Sequence, residues 1–259
     1  MNQLASLVGI FAYEFRMQIR RSALWITMLL FIAFYVLGHI VNILYVNPTS
    51  PADALRTTAV DRVLVWAGLI NLLLPIAVGI LIADRLPRDR RTKMEELLTS
   101  TPSALGTRIA GKYLGSTLAT ILPVLLFYFA GVVVIIYHTG DVGVIPLAVI
   151  ACLATVLPGL LFVTAFSLAC PAVLWVPLYQ FLFIGYWFWG NNRLRNIPSL
   201  SYTILTPNGS YIRAGLFGLQ GSVQATPLEG WASLLLILAL ALLILVVLWQ
   251  FLRWQQARM

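Results

Sequence analysis

An all-α integral membrane fold with six transmembrane helices is what this sequence predicts, and three observations predict it. Of the 259 residues 60% are apolar and 10% charged, with a mean hydropathy of +0.90, far from the composition of a water-soluble domain. The apolar residues fall in charge-free intervals long enough to cross a bilayer. The cations gather between those intervals, most densely in a stretch that holds Arg85, Arg88, Arg90, Arg91, Lys93, Arg108 and Lys112.

A charge at the bilayer centre costs about 2.5–3.5 kcal/mol, and a crossing needs roughly 20 apolar residues, so charge-free intervals count the spans. They are 22–52, 63–83, 113–140, 142–192 and 230–252. The fourth, at 51 residues, fits two crossings with a turn at Cys170-Pro171, because proline does not continue a helix smoothly. The expected helices are 24–46, 62–83, 107–137, 144–169, 172–190 and 230–252, within one domain of residues 1–259. Cys152 and Cys170 then share one helix about 27 Å apart at 1.5 Å per residue, too far for a disulfide. Without a basic residue ahead of the first apolar stretch or a small-residue cleavage site, the first span is expected to be retained.

Six crossings put both termini on one side. Lysine and arginine beside spans mark the cytoplasm, and twelve of the 17 cations fall on the side of the termini, leaving Arg56, Arg62, Arg193, Arg195 and Arg213 outside. The expected location is the inner (cytoplasmic) cell membrane, with both termini cytoplasmic. Trp25, Tyr113, Trp249 and Trp254 then form an inner aromatic belt, and Tyr45, Trp66, Tyr137, Trp187, Trp189 and Trp231 an outer one.

Three pieces lie outside the spans. Over 4–21, Leu4, Leu7, Val8, Phe11, Phe15 and Ile19 recur at three- and four-residue spacing with Glu14, Arg16, Gln18 and Arg20 elsewhere on the wheel. That pattern suits a helix in the inner headgroup plane and equally an ordinary amphipathic terminus. A second helix is expected over 88–100, ending at Thr101-Pro102, with Met94, Leu97 and Leu98 as a small apolar patch. Taken by itself it reads as a partner-docking element or as a basic loop that only sets orientation. Residues 191–228 form the outer segment, where 210–219 is either a short helix re-entering the outer leaflet or a surface loop.

The chain lacks most of the chemistry that would let it act alone. By the span assignment no acid or base lies mid-helix, which argues against a self-powered carrier, and there is no phosphate-binding loop of the G-x-x-x-x-G-K-[ST] type. A zinc hydrolase would need clustered ligands, yet His39 and His138 sit on different helices, and the Glu95-Glu96 pair has no completing partner. The net charge of +8 sits beside the spans, where anionic lipid answers it, so nucleic acid is not an expected partner. Polar groups inside the spans are His39, Asn42, Asn71, Thr155, Thr164 and Gln180; packing by side-chain amides is the plain reading of Asn71 and Gln180. Pro75 removes the amide that would bond the Asn71 carbonyl, which marks a kink that lines a pathway or flexes. An intramembrane enzyme, a passive pore and a membrane anchor remain alternatives at this point.

The order of these parts resembles the ABC type-2 permeases, the membrane subunits of ABC exporters. The resemblance is carried by Phe11-Ala-Tyr-Glu14-Phe-Arg16-Met-Gln-Ile-Arg20-Arg21, by the stretch from Ala83-Asp84-Arg85 through Glu95-Glu96-Leu97-Leu98 to Thr101-Pro102, and by Ile109-Ala-Gly111-Lys112-Tyr113-Leu-Gly115. It covers nearly the whole chain. The resemblance implies that 88–100 is a coupling helix docking on a separate ATP-binding subunit, through Arg88, Arg90, Arg91, Lys93, Glu95, Glu96, Leu97 and Leu98. It implies an interfacial helix carrying Glu14 and Arg16, and a route lined by the first, second and fifth helices with His39, Asn42, Asn71, Pro75 and Gln180 as candidates. ATP and Mg would be bound by the partner, present in two copies, and a second permease, identical or homologous, would complete the path among membrane lipid.

Overall fold

The computed structural model describes residues 3–31, 33, 59–91, 104–192, 198–219 and 223–258, and among them every regular element is helical. In chain order these are α1 (Gln3–Ile19), α2 (Ser22–Phe31), α3 (Ala59–Ile82), α4 (Arg85–Arg91), α5 (Leu105–Thr139), α6 (Val142–Ala172), α7 (Val176–Asn191), α8 (Ser210–Phe217) and α9 (Pro227–Gln256). Four helical runs are long and apolar enough to cross a membrane: α3 continued to Arg88, α5, α6 and α9. The chain is a multi-pass, all-helical membrane protein.

These four correspond to the expected crossings 62–83, 107–137, 144–169 and 230–252. The expected 172–190 helix begins later, as the 16-residue α7, because the chain first makes a tight 3-10 turn over Cys170–Ala172 and an extended step at Trp175. Pro177 then sits in the first turn of α7, where its missing N–H has no partner to lose. The expected 24–46 helix starts as α2, and its remainder lies outside the described residues. Helix α4 begins at Arg85 rather than Arg88, and the rest of the expected 88–100 helix lies outside the described residues.

Local chemistry sets the helix ends. Thr226 and Glu229 form a reciprocal capping box at the start of α9, with Pro227 in the first turn. Gly140, at φ 71°, closes α5 by returning its N–H to the Ile136 carbonyl. Within α6, Cys152–Val156 is a π turn in which the Leu157 N–H reaches the Cys152 carbonyl. Pro158, just beyond, supplies no N–H for the Ala154 carbonyl, and the wider turn absorbs that gap.

Side-chain bonds to backbone carbonyls fix the order of the helices. The Tyr128 hydroxyl donates to Ala148 O at 2.9 Å and that of Tyr113 to Leu161 O at 3.1 Å, so α5 and α6 run antiparallel. Trp66 Nε1 donates to Tyr128 O at 3.0 Å, its ring occupying the space a Cβ on Gly131 would need. Trp187 Nε1 donates to Leu72 O at 2.7 Å and Gln180 Nε2 to Ile80 O at 3.3 Å, which makes α7 antiparallel to α3. At the other edge Trp249 of α9 lies 3.6 Å from the Cβ position of Gly106 at the start of α5. The bundle therefore has two ends. A basic end gathers α1, α4, the start of α5 and the last turns of α3 and α9; the far end holds α8.

The core runs the length of the bundle through fully buried Leu64, Ile70, Leu74, Tyr128, Leu160, Phe183 and Trp187. Helix α9 instead turns Leu235, Leu242, Leu243, Val246 and Val247 outward, the surface a hydrocarbon solvent accepts.

Candidate functional site

At the basic end three helices converge on charge. Glu14 and Gln18 of α1 are 4% and 0% exposed, Arg85 at the head of α4 is 4%, and Lys112 of α5 is 9%. Glu14 lies 3.7 Å from the Arg85 guanidinium. Beside them Arg21 reaches Asp84 at 2.5 Å and donates to Leu81 O at 2.9 Å, tying the link between α1 and α2 to the end of α3. Burial holds the Glu14 carboxyl above its ordinary value, and Lys112, Arg85 and Arg88 pull it back only in part. All three Arg85 nitrogens and both polar atoms of Gln18 are enclosed without a hydrogen-bond partner among the described residues. Attraction between Glu14 and the bases therefore offsets only part of the cost of enclosing them.

The arrangement shows which side of α1 packs on the bundle. The polar residues Glu14 and Gln18 face the bundle, while Leu4 is 75% and Val8 51% exposed. The cause is a notch on α5: a Cβ on Gly111 would lie 2.8 Å from Ile10 Cγ2, and one on Gly115 2.8 Å from both Glu14 Cβ and Phe11 O. Two glycines four apart let α1 lie backbone-close along the first turns of α5, and Lys112 between them meets Glu14. The sequence signal was the G-x-x-x-G at 111–115, which the sequence reading used only as part of a resemblance.

Of the residues expected to dock a partner, Arg88 is exposed on α4, and Arg90 and Arg91 belong to the same helix. Lys93, Glu95, Glu96, Leu97 and Leu98 lie outside the described residues, as do His39 and Asn42. Arg16 is exposed on the side of α1 away from Glu14.

The remaining path candidates sit where α3 meets its neighbours. Asn71 is fully buried, its Nδ2 donating to Thr155 O at 3.1 Å and Pro207 O at 3.0 Å. It occupies the space above Gly159, where any side chain would overlap it. One amide thus joins α3, the π turn of α6 and the loop that leads into α8. Pro75 is buried inside a helix that continues through it to Ile82, and the Trp187 indole takes the Leu72 carbonyl one turn earlier. Gln180, half-buried, caps the other end of the α3–α7 seam.

Two further features complete the picture. An open apolar groove of about 520 Å³ runs between α2, α3 and α5, floored by Trp66, Pro123 and Phe127 and walled by Trp25 and Met28. Asn208, in the Asn208-Gly209-Ser210 sequon, donates from Nδ2 to Asn191 O at 3.2 Å and accepts from Ser210 N, so its amide is engaged within the fold. No protein-family model matches the chain, and no curated protein matches it.

Proposed function

We propose that this chain is the permease subunit of an ATP-driven exporter of the ABC type-2 class. It sits in the cytoplasmic membrane with the basic end and both termini in the cytosol, pairs with a second permease, and is driven by two copies of a separate ATP-binding subunit that hold ATP and Mg. The two full-length crossings beyond the four described would be completed by α2 and its continuation and by α7, with α8 as a re-entrant outer helix.

The observation that carries this reading is the root of α4. A short basic helix projecting from a span is common as an orientation signal, and nothing then requires its base to be buried. Here the base is enclosed: Arg85 is set against Glu14, and the preceding Asp84 holds Arg21. A push on α4 is delivered to α1, to the end of α3 and to the start of α5 together, which is what a coupling element must do. Closure of the ATP-binding subunits would tilt those helices and open a route between the paired permeases.

The test is purification of the tagged chain from its native membranes in mild detergent. The expected result is a co-purifying nucleotide-binding polypeptide that is lost from the Arg90→Glu, Arg91→Glu, Leu97→Asp variant, with the variant chain still in the membrane. An intact complex with that variant removes the docking role.

A further inference from the structure

We propose that Arg213 is the anion-binding group of a site at the far end of the bundle, one that takes the phosphate or carboxylate of an amphiphile. Arg213 lies on α8, and its guanidinium rests on α3 over Gly68, where a Cβ would overlap Nη1 and Cζ. Nε and Nη1 are both enclosed and have no acceptor among the described residues. The residue as a whole is half-buried, and Nη2 is not among its enclosed, unpartnered atoms.

The placement is built. Asn71 holds Pro207 O, and Gly209, at φ 70°, sits with its Cβ position 2.6 Å from Thr155 Cγ2, a contact only glycine permits. On the other flank Gly215 is pressed against α9, its Cβ position 2.5 Å from Thr226 O and 2.9 Å from Gly230 Cα. Helix α8 is thus fixed against α3, the π turn and α9, and Arg213 is presented by a rigid frame.

A guanidinium is always protonated and offers five donors in a planar fork. A cation drawn this far into an apolar bundle calls for an opposite charge, and intramembrane cations of this kind mark binding sites. Arg85 at the basic end has Glu14; Arg213 has no carboxylate partner among the described residues. A ligand oxyanion matches the fork in charge and geometry. The apolar part of such a ligand finds Val65 and Leu69, exposed on the neighbouring strip of α3. The oxyanion belongs either to a membrane phospholipid or to the exported cargo. Only the cargo arm rests on the export reading, and binding itself needs no nucleotide.

The experiment uses the full chain in nanodiscs and follows the thermal midpoint and tryptophan fluorescence as dodecyl phosphate is added, with dodecyl maltoside as the neutral probe of equal chain length. In phosphatidylcholine discs dodecyl phosphate should bind and raise the midpoint, and dodecyl maltoside should not. Arg213→Gln should weaken dodecyl phosphate at least tenfold, Arg213→Lys by less, and Gly68→Ala, which keeps the cation but displaces it, by a similar factor to Arg213→Gln. In phosphatidylglycerol discs, loss of the dodecyl phosphate response assigns the site to lipid headgroups, and an unchanged response assigns it to cargo. Equal responses to the two probes in the wild type would overturn the proposal without any variant having to fold. So would Arg213→Gln binding like the wild type. Neither outcome bears on whether an ATP-binding subunit docks on α4.

Discussion

The two ends of the bundle treat buried charge in opposite ways. At the basic end Glu14, Arg85 and Lys112 are drawn from three helices into one enclosed cluster with both signs present. At the far end Arg213 is enclosed along one side with a bare glycine beneath it and no counterion among the described residues. A cluster of mixed sign has an opposite charge at hand and serves to link helices. A cation with no opposite charge among the described residues points to something that arrives from outside the bundle. Burial alone does not separate a mechanical joint from a binding site; the presence of an opposite charge among the packed helices does.

Variants of the basic end give the largest expected effect. Glu14→Lys sets a third cation against the enclosed Arg85 and Lys112, and an uncompensated buried charge costs about 3–5 kcal/mol. Unfolding in detergent should register a loss of that order, with α1 released from α5. A loss below about 1 kcal/mol, the range of exposed pairs, would mean that the cluster is open to water and the comparison fails.

Asn71→Leu tests the framework of the far end. It strips the donor from two carbonyls and fills the space over Gly159 with a branched side chain. An interhelical bond in a membrane is worth about 1–2 kcal/mol in model systems, and a loss of about 2 kcal/mol is expected. Protease cleavage near residue 209 should rise in parallel, because the loop into α8 loses its anchor. Unchanged cleavage would show that α8 is held by α9 alone.

The pH response of Glu14 sharpens the contrast further. Burial raises its pKa, so the fold prefers the neutral acid: the stability this group contributes is fully present below pH 4.5 and is lost as pH rises through the raised value. Glu14→Gln, neutral throughout, should match the wild type near pH 4.5 and become the more stable of the two as pH climbs above it. The opposite trend in midpoint against pH would show that attraction to Arg85 and Lys112 outweighs desolvation. The smallest effect is expected from Asp84→Asn. The Arg21–Asp84 pair is 26% and 36% exposed, and pairs in that setting contribute about 0–1 kcal/mol.

Much of the fold was legible because hydrocarbon length and charge exclusion act on every residue of a span. Helices α3, α5, α6 and α9 fall where the charge-free intervals put them, and Cys170-Pro171 lies at the turn expected there. The sidedness of α1 was not legible. Its stripe of Leu4, Val8 and Phe11 suits a helix in the headgroup plane, but nothing in the stripe shows that Glu14 and Gln18 turn into the bundle to meet Lys112 and Arg85. The π turn was signalled by Pro158, but which carbonyl a proline strands does not say how the helix will adjust. Arg213 was counted among the outside cations, and it lies at the end of the bundle opposite the basic cluster. Nothing local to Tyr211-Ile212-Arg213 shows that Gly68, 145 residues earlier, leaves room for the guanidinium.

The measurement that bears most directly on the account is the composition of the assembly in intact native membranes, cross-linked after nucleotide has been trapped with vanadate. The account predicts two nucleotide-binding polypeptides for each pair of permease chains, with cross-links that map to residues 88–98 of this chain. A chain recovered under trapping with no nucleotide-binding polypeptide attached, and with 88–98 free of cross-links, would contradict it.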